Sequence, residues 1–152
     1  MKGSEIRTML WQQEIARKKY IRPYLVKMGL TVGQGQPRIL KNLLVYGPQT
    51  QRELADRCLD RCLLDVTTMS RTLDRMEAAG LLEREDNPAC RRSYLIRLTP
   101  EGEEKAKQVQ EVFRQCDEIM LRGLSEQEQE TLCAFLQTVA QNLEEAGKEE
   151  SK

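Results

Sequence analysis

The sequence contains no histidine. That absence removes imidazole as a general acid–base, as the partner of a serine or cysteine nucleophile, and as the commonest zinc ligand. Aromatic residues are scarce, at 5% of the chain. Long apolar runs are missing as well. The longest stretch without a charged residue is Thr131 to Leu143, 13 residues that include Gln137 and Gln141. It is too short and too polar to cross a bilayer. The first residues lack the apolar segment of a secretory signal, so a cytoplasmic chain is expected. There is no Gly-rich phosphate loop and no group of carboxylates in an apolar setting. An enzyme is therefore not expected, and neither is a metal or a cofactor. A surplus of charge is also lacking: 24 basic residues balance 24 acidic ones.

A zero sum hides its distribution. Residues 1–34 carry +5, residues 35–100 carry +2, and residues 101–152 carry −7. The acidity is confined to the last third, so the remainder can still present a positive face to an anionic partner. At 152 residues the chain fits one domain.

The spacing of apolar residues predicts a mainly α protein with one small β-hairpin. A first helix runs from residue 5 to about 28, with Ile6, Leu10 and Ile15 as its apolar stripe. Pro23 is expected to kink or interrupt it. Ile39, Leu40, Leu43 and Leu44 mark a second helix ended by Gly47-Pro48. Thr50-Gln51-Arg52-Glu53 has the form of a capping box and opens a short helix. Asp65 is the expected N-cap of the next helix, over about 66–79, ended by Gly80. Val66, Met69, Leu73 and Met76 share its buried face, leaving Thr67, Thr68, Ser70, Arg71, Asp74 and Arg75 on the outer arc. Residues 81–85 and 93–98 read as a hairpin with a basic tip, Arg91-Arg92. Thr99-Pro100-Glu101 starts a further helix, with Val109, Val112, Phe113, Cys116 and Met120 on one side. Ser125-Glu126-Gln127-Glu128 is a second capping box, and Leu132, Phe135, Leu136, Val139 and Leu143 stripe the last helix. Residues 144–152 read as a frayed polar end.

This order of elements resembles the winged helix-turn-helix of the MarR family of bacterial transcription regulators. The residues that carry the resemblance are Gly29-Leu30-Thr31, Gln51-Arg52-Glu53-Leu54-Ala55, the run from Asp65 to Leu82, and the wing from Arg91 to Thr99. Glu101-Gly102 follows as it does at the start of the family's fifth helix. The resemblance implies a DNA-binding lobe over 30–99 flanked by helical dimerisation regions, 1–29 and 100–152. Two departures stand out. The segment from Ala55 to Asp65 is about four residues longer than usual, which either rotates the recognition helix or adds a turn to its support. Cys90 stands where many members have an acidic residue that would orient Arg91.

The resemblance implies a sequence-specific, homodimeric regulator, a repressor released by a small ligand, that reads a pseudo-palindromic operator in double-stranded DNA. Helix 66–79 would enter the major groove. Thr68, Arg71 and Arg75 face one way at their spacing, and arginine donates bidentately to a guanine edge. Thr67, Thr68 and Ser70 suit bases or phosphates. Thr50 and Gln51, at a helix N-terminus, suit a phosphate. Arg91 and Arg92 suit the minor groove or its flanking phosphates. Asp74 is expected to pair with Arg71 or Arg75. The competing reading is of ordinary surface arginines balanced by Asp74 and Glu77.

Family members bind small aromatic or amphipathic ligands between the first helix and the DNA-binding lobe. Trp11, Tyr20, Tyr24 and Met28 would line that cleft, or else simply pack the core. Five cysteines, an odd number, do not suggest a disulfide framework in a cytosolic chain. Cys116 and Cys133 lie in apolar stripes and read as small core residues. Cys58 and Cys62 fall short of a zinc set. Cys90 adjoins Arg91 and Arg92, whose charge would favour its thiolate, and is the redox candidate. Two alternatives remain: a thiol-based redox-sensing regulator, and a dimeric winged-helix adaptor that does not bind DNA.

Overall fold

The computed structural model describes residues 2–31, 35–62 and 66–151, and the side chains of all of these except 59–62 and 66. Asp65, the expected N-cap, lies outside the described residues. The chain divides into two compact units, Met1–Cys116 and Asp117–Lys152. The elements in order are α1 (Gly3–Lys27), α2 (Gln36–Tyr46), β1 (Gln49–Thr50), α3 (Gln51–Cys62), α4 (Val66–Ala78), β2 (Leu82–Asp86), β3 (Tyr94–Leu98), α5 (Pro100–Met120) and α6 (Glu126–Glu150).

The first unit is built round a single apolar cluster. Ile39 and Leu40 of α2, Leu54 of α3, Met69, Leu73 and Met76 of α4, Ile96 of β3 and Val109 of α5 are all essentially inaccessible. Met69, Leu73 and Met76 are positions that the spacing predicts, with Thr72 buried among them; the side chain of Val66, the fourth, lies outside the described residues. Helix α1 differs from expectation in two ways. It is helical through Pro23; the ring has no N–H to give to the Lys19 carbonyl, and both residues are exposed, so water can reach that carbonyl. Its buried residues are Ile21 and Leu25, whereas Ile6 is exposed. The amine Nζ of Lys105 donates to the Met28 carbonyl and places a positive charge at the C-terminal end of α1.

The hairpin is joined by a third strand that the sequence does not signal. The sheet runs β1-β3-β2, antiparallel throughout. Gln49 lies opposite Ile96, and Arg84 lies opposite Ile96 from the other side. The extra residues after Ala55 extend α3 as a helix to Cys62.

In the second unit the Ser125 capping box is complete. Ser125 Oγ accepts from the Glu128 N–H at 3.1 Å, and Glu128 accepts from the Ser125 N–H at 2.8 Å. Helix α6 continues to Glu150, so the expected frayed end is ordered helix. No residue of α6 is buried. Cys133 is therefore exposed rather than a core residue, while Cys116 is buried as expected. Among the described residues no helix is long and apolar enough to cross a membrane.

Candidate nucleic-acid interface

Helix α4 is fastened at its C-terminal end by a paired closure. The Leu81 N–H donates to the Met76 carbonyl and the Gly80 N–H to that of Glu77, each at 3.0 Å. This geometry needs a left-handed residue, supplied by Gly80 at φ +77°. With Met69, Leu73 and Met76 sunk in the core, the opposite arc is fixed in direction. Thr67, Arg71 and Arg75 are exposed, and Thr68 and Ser70 are half-buried beside them.

Helix α3 begins next to the sheet. Thr50 Oγ1 accepts from the Glu53 N–H at 3.1 Å, forming the threonine half of the expected box. Gln49 is buried but well bonded: it donates to the Asn42 and Gly47 carbonyls and accepts from Arg57 Nη1 at 2.9 Å. It pins β1 so that the first turn of α3 opens towards the wing. Between them lies a hollow of about 360 Å³, lined by Thr50, Gln51, Arg52, Arg84, Arg92 and Tyr94 among others. The hollow brings together three residues proposed from sequence, Thr50, Gln51 and Arg92. It adds Arg52, Arg84 and Tyr94, which sequence reasoning missed. The even register of β2 and β3 is the signal that could have found Arg84 and Tyr94, because it puts both on the face that carries Ile96.

The wing tip is a bonded turn. Asn87 Nδ2 donates to Ser93 Oγ at 2.9 Å, Asn87 Oδ1 accepts from the Ala89 N–H at 3.0 Å, and the Cys90 N–H donates to the Asn87 carbonyl at 3.1 Å. Arg91 and Arg92 are exposed on it. The Cys90 thiol is held below the usual thiol range, first by the Arg92 backbone N–H and then by the Ser93 hydroxyl. The direction is as expected; the cause is hydrogen bonding rather than the neighbouring guanidinium charges.

The acids of α4 have a partner that the sequence does not suggest. Arg84 Nη2 meets Asp74 Oδ1 at 3.0 Å and Arg84 Nη1 meets Glu77 Oε1 at 3.1 Å. The expected pairing of Asp74 with Arg71 or Arg75 is thus replaced by a bond to the wing strand. On the other face of the ribbon, Arg97 bonds Glu83 and Glu85 at 3.1 and 3.2 Å.

The proposed ligand residues are only partly gathered. The Tyr20 and Tyr24 rings lie 5.5 Å apart, tilted by 43°, and Tyr20 and Met28 pack against the core. Trp11 is exposed, nine residues before Tyr20, which is about 13 Å along a helix. Cys58 is buried and its sulfur accepts from Asn42 Nδ2 at 3.6 Å, so it serves the core. The Cys62 side chain lies outside the described residues.

Residues 28–93 match the MarR family model. Among solved structures, a probable transcriptional regulator from Pseudomonas aeruginosa is 27% identical at a TM-score of 0.70, covering 88% of this chain and 96% of its own. A mutant MarR from E. coli complexed with operator DNA is 22% identical at a TM-score of 0.73, with 89% and 93% covered. NadR in complex with 4-hydroxyphenylacetate is 24% identical at a TM-score of 0.69, with 89% and 92% covered. The fold is a winged helix-turn-helix: α3 and α4 form the helix pair and β2–β3 the wing.

Proposed function

We propose, from the match of residues 28–93 to the MarR family model and from the winged-helix fold, that this chain is a sequence-specific DNA-binding transcription regulator, a homodimeric repressor released by a small ligand. The observation that carries the reading is the hollow between the start of α3 and the wing, where Thr50, Gln51 and Arg92 converge. In this reading Arg71 and Arg75 meet base edges, and Thr67, Thr68 and Ser70 meet bases or phosphates. Thr50 and Gln51 hold a phosphate at the start of α3, and Arg91 and Arg92 reach the minor groove. In a two-fold dimer the two α4 helices enter successive major grooves about 34–36 Å apart.

If each protomer neutralises about three to five phosphates, dimer binding has a log–log salt slope of roughly −5 to −9. Fluorescence anisotropy of a labelled duplex over a salt series measures it, and a slope near zero overturns the reading. A net charge of zero leaves non-specific binding weak, with the affinity concentrated in helix and wing.

The dimer is supported by the apolar side chains left uncovered. Ile6, Met9 and Trp11 on α1 and Leu132, Phe135 and Leu143 on α6 are each exposed by 42% or more. Covering them is what a second copy would do. Phe135 is 66% exposed, so Phe135→Glu is expected to leave the circular dichroism spectrum of the chain intact. It should raise the dimer dissociation constant by about thirtyfold or more, as loss of an apolar anchor does. Sedimentation reads the outcome, and unchanged dimerisation removes α6 from the interface.

An aromatic acid as the releasing ligand is supported by the 4-hydroxyphenylacetate held by NadR and by the Tyr20–Tyr24 ring pair. Such a ligand would act by favouring a spacing of the two α4 helices that does not fit the operator.

A further inference from the structure

Asp74 and Glu77 stand on α4 among the side chains proposed to meet DNA, and two carboxylates there repel phosphate. Arg84, reaching from β2, bonds both through separate amine groups of one guanidinium, at 3.0 and 3.1 Å. Its side chain is 21% exposed, against 68% for Asp74 and 42% for Glu77. Ion pairs with carboxylates this hydrated add little stability. Their larger consequence is where charge stands. A planar fork can serve two carboxylates at once, which a lysine ammonium does with less directional control. Arg84 also lines the hollow with Thr50, Gln51 and Arg92. It therefore sits at the seam between recognition helix and wing. Arg97 is committed to Glu83 and Glu85 on the opposite face of the ribbon, so the pairing at the seam falls to Arg84.

We propose that Arg84 is a positioning residue for DNA binding. It neutralises Asp74 and Glu77, so that helix and hollow present one positive face. The proposal rests on the DNA-binding function proposed above. Arg84 acts through the two carboxylates and does not itself grip a phosphate.

The test uses the full chain and a labelled mixed-sequence duplex at low salt, because the charge term is independent of sequence. Arg84→Met is expected to weaken binding by about tenfold, since two carboxylates are left unanswered within a Debye length of the phosphates. Adding Asp74→Asn and Glu77→Gln to Arg84→Met removes those charges and should return the affinity to within about threefold of the parent. With Arg84 kept, Asp74→Asn and Glu77→Gln together should bind within about threefold of the parent; a gain of about tenfold there would make the recovery a plain removal of negative charge and would overturn the proposal. If the triple variant binds as weakly as Arg84→Met, Arg84 grips DNA itself and the proposal is overturned. It is equally overturned if Arg84→Met binds like the parent. Should Arg84→Met fail to fold by circular dichroism, Arg84→Lys takes its place, with a smaller loss and the same rescue expected. A parent chain that binds no duplex at any salt concentration defeats the DNA-binding reading itself, and the proposal falls with it; that outcome is distinct from a parent that binds and a triple variant that does not recover.

Discussion

Gly102→Ala is expected to destabilise the protein by about 2 kcal/mol or more, a drop in melting temperature of roughly 4–8 °C for a chain of this size. Helix propensity alone predicts the opposite, a gain of about 1 kcal/mol for alanine over glycine inside a helix. The packing decides the sign. A Cβ at position 102 would stand 1.7 Å from the Leu81 carbonyl oxygen and 2.7 Å from its carbon. These are backbone atoms and cannot swing aside. The Leu81 carbonyl already accepts from the Thr99 N–H at 3.1 Å, and Thr99 Oγ1 is shared between the Gly102 N–H at 3.0 Å and the Gly80 carbonyl at 2.6 Å. The first turn of α5 is therefore laid directly on the chain that leaves α4. Displacing it moves the anchor of the recognition helix as well, so DNA affinity should fall along with stability. Thermal melts by circular dichroism at matched protein concentration measure the effect. A variant that melts higher than the parent would place the Leu81 carbonyl elsewhere.

Gly102 also illustrates which features a sequence carries. The glycine is visible, at a place where it weakens a helix, but the backbone it must clear is twenty-one residues away and is not. Local signals were legible. The spacing of Met69, Leu73 and Met76 gives the buried face of α4, and Thr99 and Ser125 cap α5 and α6 because capping depends on residues within one turn. Features that depend on a neighbour in space were not. A strand of two residues, β1, has no period to detect; it exists because β3 passes beside it. Asp74 looks towards Arg71 or Arg75 when only helix spacing is considered, yet Arg84 reaches it from the wing strand β2 at 3.0 Å. Cys133 lies in an apolar stripe, but a stripe says only that a face is fit for burial, and no residue of α6 is buried within the chain. The candidate site divides in the same way. Thr50, Gln51 and Arg92 follow singly from the family resemblance, whereas their convergence on one hollow is a property of the fold.

Arg71→Ala is expected to weaken binding to the preferred operator by about 1–3 kcal/mol, or roughly 5- to 150-fold. Arg71 is exposed on α4, and the nearby acids are engaged by Arg84. The substitution therefore removes little from the folded chain, and the melting temperature should stay within about 2 °C of the parent. That separates its effect from that of Gly102→Ala, where stability and affinity fall together. The distribution of the loss across sequences carries the diagnosis. A bidentate contact to a guanine edge is worth most on the correct base pair, so the loss should be large on the operator and small on unrelated duplexes. A phosphate contact would instead weaken all duplexes alike and reduce the salt slope by about one. The preferred site can be obtained without knowledge of neighbouring genes, by selecting bound duplexes from a random-sequence pool with the parent protein. Selection repeated with Arg71→Ala should then lose its preference at one base pair in each half-site while keeping the rest. If the selected sequence and the affinity for it are both unchanged, the recognition face of α4 does not include Arg71, and the arc must be turned towards Thr67 and Ser70.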